Sequence, residues 1–243
     1  MFGCIHGDRQ AVGQAGGELG RTSNQQIWSG LTAASTTPLS GRRPPIDWYK
    51  EGPMRPVGCS SMTIVDRAEM LAEQLVAPLG RRWSHVRAVA ARAREVAAAV
   101  SGDDVESLVA AAWLHDIGYS EQIGHTRFHP LDGARFLRAH GWPVSVVNLV
   151  AHHSGARFEA EERGLSSELA EFPFVDSPVL DALVLADLTT GPGGERLSYD
   201  ERISEILRRY PEDDPVHRTW VKASPILREA VERAELRIAA ASS

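Results

Sequence analysis

Imidazoles and carboxylates recur along this chain in an order that suits a divalent transition metal. His85 comes first, the adjacent pair His115-Asp116 follows 30 residues later, and His129, His152-His153 and Asp187 complete the series. Imidazole supplies nitrogen, and an aspartate can bridge two ions. Mixed nitrogen and oxygen donors favour Fe, Mn, Co, Ni or Zn over Mg alone. Thiolate ligation does not compete, because the two cysteines, Cys4 and Cys59, both precede the series. Such a site can acidify a bound water to hydroxide near neutral pH and neutralise phosphoryl charge. Six or more donors exceed the needs of one ion, so one or two ions are expected, with Fe or Mn favoured.

The elements that must position these residues are helices. Thr63 with Asp66 makes a capping-box start for a helix ending by Pro78. Ser84 is the expected N-cap of the next, with Val86, Val89, Ala93, Val96 and Val100 at helical spacing before Ser101-Gly102. Asp103 or Asp104 caps the helix that delivers His115-Asp116, and Gly118 stops it. Pro130 fits a first helical turn, and Pro143 opens the helix that ends at His152-His153. Further starts are expected at Ser177-Pro178, at Ser198 with Glu201, and at Ser224-Pro225. No run alternates with period two, so the body is expected to be all-α.

Helical spacing puts several of the chemical residues on apolar stripes. Asp187 shares a face with Leu180, Leu183, Val184 and Leu188, and His115 follows Leu108, Ala111 and Ala112. Asp116 follows Val109 and Trp113. An unpaired carboxylate there costs on the order of several kcal/mol, so the set needs a shared counter-charge, which one or two cations would supply. His140, beside Gly141, reads instead as a helix C-terminal residue on the dipole, and His6 and His217 carry no site.

The order H…HD…H…HH…D, with Ile117-Gly118 after the pair, resembles the HD-domain superfamily of metal-dependent phosphohydrolases. The resemblance implies a compact helical bundle in which His85, His115, Asp116 and Asp187 hold one metal. It implies a second ion held by His129 and His152, with Asp116 bridging, and catalytic work by Asp116, His115 and Asp187. Neighbours on a helix diverge by about 100°, so one of the pair is expected to bind metal while the other orients substrate or supports the ligands; His152 is taken as the ligand and His153 as the substrate residue, with ligation by His153 left open. Where many members carry a lysine, this chain has Tyr119. Arg157 and Arg196 are expected to supply the phosphate contacts. The context of His152-His153-Ser154-Gly155 is similar to HD-type hydrolases of diadenosine tetraphosphate, so the expected substrate is a small nucleotide-like phosphoester or phosphoanhydride. Two alternatives stand beside it: a di-iron oxygenase, and a nucleotide sensor without turnover.

The balance of 26 basic against 32 acidic residues argues against a nucleic-acid partner. No apolar run reaches a membrane span, and the chain is expected to be cytoplasmic. Residues 1–61, rich in Gly, Ser, Thr and Pro, are expected to be a disordered extension or to follow a mis-called start, with residues 62–243 forming the hydrolase body.

Overall fold

The structure, a computed structural model, describes residues 62–243; the expectation of disorder over residues 1–61 lies outside the described residues. Within them the fold is all-α, and the one β feature is an isolated antiparallel bridge between Thr190 and Arg196. No described helix is long and apolar enough to cross a membrane.

Helix α1 (Ile64–Val76) opens with the expected capping box, Thr63 and Asp66 exchanging backbone and side-chain hydrogen bonds of 2.9 and 3.1 Å. Helix α2 (Arg81–Glu95) starts earlier than expected, with Gly80 rather than Ser84 at its N-cap. Gly80 takes φ 58°, which turns the chain sharply and lets the helix begin a turn sooner. Helix α3 (Val105–Leu114) is buried on every side from Leu108 to Leu114 and packs against α1 and α2. Helices α4 (His129–Ala139) and α5 (Val144–His152) pair with each other, and α5 also packs on α3. The short α6 (Ala156–Arg163) and α7 (Ser166–Leu169) follow.

Helix α8 (Pro178–Leu188) is buried from Val179 to Leu188 and contacts α2, α3 and α5. Helices α3 and α8 are buried around most of their circumference, which makes them the centre of the bundle. Helix α9 (Tyr199–Arg209) is amphipathic and opens with the expected Ser198–Glu201 capping box. Helix α10 (Pro215–Ala241) corrects the expected start at Ser224-Pro225. It begins at Asp214, whose carboxylate accepts from the Val216 amide, and runs through Pro225. Proline removes the bond to the carbonyl four residues back, on Val221. Val221 is 53% exposed, so water can reach the freed group and the helix continues.

Candidate metal centre

The site lies where α3, α5 and α8 end. His115 is the C-cap of α3, His153 is the C-cap of α5, and Asp187 is in the last turn of α8. Three helix C-termini bring partial negative charge to one place, which favours a cation. His85 enters from α2, and His129 from the first residue of α4. Gly118 makes that last approach feasible: a Cβ there would lie 2.0 Å from the His129 carbonyl oxygen.

The donors converge on Asp116, which is 3% exposed. Its Oδ2 is 3.4 Å from His115 Nε2 and 4.0 Å from His85 Nε2; its Oδ1 is 3.4 Å from His129 Nε2. Asp187 Oδ1 sits 3.0 Å from His85 Nε2 and 4.0 Å from His115 Nε2. His129 Nε2 and His153 Nε2 face each other at 3.1 Å. Two triads with metal-ligand spacing result, His85-His115-Asp116 and Asp116-His129-His153, sharing Asp116.

Backbone carbonyls fix the rings. Nδ1 of His85 meets the Gly191 oxygen at 3.0 Å, that of His115 meets Ala112 at 2.8 Å, and that of His153 meets Val150 at 2.7 Å. A carbonyl only accepts, so each Nδ1 carries a proton, and each ring, when neutral, points an Nε2 lone pair inward. Nε2 of His115 is fully buried and has no hydrogen-bond partner. Buried lone pairs without donors, converging with two carboxylates, are what a divalent ion satisfies. The residues present therefore fit a metal.

With no ion bound, the two carboxylates draw positive charge onto the side chains around them, a proton on His115 standing where a cation would. Burial alone would raise the Asp116 carboxyl, but the Arg82 guanidinium and His115 hold it well below the usual range. Asp187 is likewise held low, against burial, by His85 and His115. Burial disfavours a charged His115, yet Asp116 and Asp187 outweigh it and lift the group to about 9. Burial, with the neighbouring His115, pushes His153 down to about 4, and burial pushes His129 well below the ordinary histidine value.

The structure thus brings His85, His115, Asp116, His129 and Asp187 together. It reverses the expected roles of the histidine pair. His153 enters the cluster, while His152 turns away, its Nε2 donating to the Phe172 carbonyl at 2.8 Å. Helix α5 ends at His152, and His153 is already extended (φ −63°, ψ 152°), which swings its ring inward. His152 instead lines a groove of about 310 Å³ with Arg157, Phe172 and Phe174. Arg157 lies over the Phe158 and Phe174 rings, 4.8 Å from each centroid, rather than at the cluster. Arg196 is corrected as a phosphate contact: it is exposed and ion-paired with Glu95, 101 residues away in sequence.

Tyr119 does stand at the centre. Its ring stacks on His129 (centroids 4.0 Å apart), and the Arg82 guanidinium carbon lies 3.7 Å from the Tyr119 ring centroid. Sequence reasoning missed Arg82, whose Nη1 donates to Asp116 Oδ2 at 2.5 Å. Its spacing, three residues before His85, places both on one face of α2 and was the available signal.

The profile of the HD domain family matches residues 82–187, from Arg82 to Asp187. Residues 82–187 are an HD domain. That match spans less than half of the chain's 243 residues. The chain is also 29% identical over 133 residues to a tRNA (cytidine(56)-2'-O)-methyltransferase of Thermoplasma volcanium. That match covers 54% of this chain and only 37% of the relative. No solved structure matches this HD-domain chain.

Proposed function

We propose that this HD domain hydrolyses a phosphoester or phosphoanhydride bond of a small nucleotide-like substrate. The observation that carries the proposal is one buried carboxylate, Asp116, shared by two histidine triads and backed by a guanidinium. Bound Fe or Mn ions would supply an acidified water as nucleophile and positive charge for the phosphoryl oxygens. His85, His115, Asp116 and Asp187 would hold one ion, and Asp116, His129 and His153 the other. Arg82, with a fifth of its side chain exposed, lies at the edge of the cluster and would neutralise a phosphoryl oxygen. The Tyr119 ring contacts both Arg82 and His129 and would help to hold them in place. Asp116 and Asp187, held as carboxylates, would orient the attacking water by accepting its hydrogen bond.

The test is phosphate or nucleotide release by the full chain from dinucleoside polyphosphates, nucleoside mono- and triphosphates and cyclic dinucleotides, with Mn(II) or anaerobic Fe(II). Release that disappears in Asp116→Asn is expected. Metal-loaded protein that releases nothing from the whole panel would overturn the proposal.

A further inference from the structure

Two observations made on different parts of the molecule meet at Ser154. The first is conformational. Between His153 and α6 the chain runs through Ser154 at φ 43°, ψ 49° and Gly155 at φ 79°, ψ 15°. Left-handed backbone suits glycine; a residue with a Cβ is strained there. Among the described residues only Arg127 and Ser154 hold positive φ without being glycine. The second is a contact. Ser154 Oγ donates a close hydrogen bond to Asp187 Oδ2, bridging the end of α5 to the end of α8.

The contact decides what Asp187 can do. The terminal torsion of an aspartate is broad, so packing of the helix does not by itself fix which oxygen faces the cluster. With Oδ2 tied to Ser154, Oδ1 is left facing His85 and His115. Hydroxyl partners of this kind orient ligating carboxylates and typically change metal affinity by about 10–100-fold. A glycine at position 154 would take the backbone without strain but would leave Asp187 untethered. The turn is also held from outside: a Cβ on Gly155 would come within 3.2 Å of the Leu227 side chain on α10, so α10 leaves the backbone little freedom to relax.

We propose that Ser154 is a positioning residue for the metal centre, its hydroxyl locking Asp187 so that Oδ1 faces the ion, with a left-handed backbone retained to keep it there. The inference rests on the metal-centre assignment above. It predicts that metal affinity and folding stability respond to different features of the side chain. Affinity follows the hydroxyl; stability follows compatibility with positive φ.

The experiment compares full-length wild type with Ser154→Gly and Ser154→Ala, reading Mn(II) affinity by titration calorimetry and the Tm of metal-free protein. Both variants are expected to bind Mn(II) about 10–100-fold more weakly than wild type. The glycine variant is expected to melt about 2–4 °C above the alanine variant, because it alone relieves the strain. Wild-type affinity in either variant would overturn the proposal. So would affinities that rank with Tm, the glycine variant binding well and the alanine variant poorly. A wild type that takes up no Mn(II) would overturn the metal-centre assignment itself, and with it the basis of the proposal.

Discussion

Helix α8 buries two aspartates little more than a turn and a half apart, and they are satisfied in opposite ways. Asp181, 2% exposed, accepts from Arg233 (2.5 and 2.9 Å) and Arg237 (2.8 Å), both on α10. Asp187, 6% exposed, accepts no arginine hydrogen bond among the described residues; it faces His85, His115 and the Ser154 hydroxyl. Guanidinium forks are permanent cations that close a carboxylate off as a structural clasp. Imidazoles can give up a proton and turn Nε2 lone pairs inward, so the carboxylate they face is open to a metal cation in a way that a guanidinium-bound one is not. Burial of a carboxylate therefore does not identify a site; the chemistry of its neighbours does.

The sharpest local division is at the adjacent histidines. Replacing His153 with alanine should weaken binding of the second Mn(II) by at least about 10–100-fold, since it removes a donor from the Asp116-His129 triad. Replacing His152 should leave Mn(II) stoichiometry and affinity as in wild type, because its ring faces Phe172. Calorimetric titration of both variants measures this, and equal losses in the two would erase the distinction.

The clasp should behave differently. Removing both Arg233 and Arg237 leaves Asp181 buried and unpaired, which should destabilise folding by about 2–3 kcal/mol. That lies below the usual cost of breaking a fully buried pair, because the two arginine side chains are 41% and 34% exposed and partly screened by water. Denaturant unfolding should show the loss, while Mn(II) affinity of the folded protein stays at the wild-type level.

The ligand stripes were legible in the sequence, whereas the roles of Asp181 and of the two adjacent histidines were not, for physical reasons. The apolar stripes that carry His115, Asp116 and Asp187 lie on α3 and α8, where continuous hydrophobic residues leave no other orientation. Capping boxes at Thr63 and Ser198 are local chemistry and stand where the spacing put them. His152 and His153 were indistinguishable because the helix ends between them, and one change of ψ decides which ring turns inward. Arg196 could not be recognised as an ion-pair partner, since Glu95 lies on a distant helix. Pro225 read as a helix start because sequence does not reveal that Val221, one turn earlier, is open to water. The tether from Ser154 to Asp187 depends on a strained turn that no composition or period signals.

The most direct test is Mn(II) titration of the full chain beside its Asp187→Asn and Asp181→Asn variants. Wild type and Asp181→Asn should bind Mn(II) with the same stoichiometry and affinity, while Asp187→Asn should lose at least about 100-fold at the site of His85 and His115. Tight binding that survives Asp187→Asn, or that is lost equally in Asp181→Asn, would contradict the assignment of one aspartate to metal and the other to the fold.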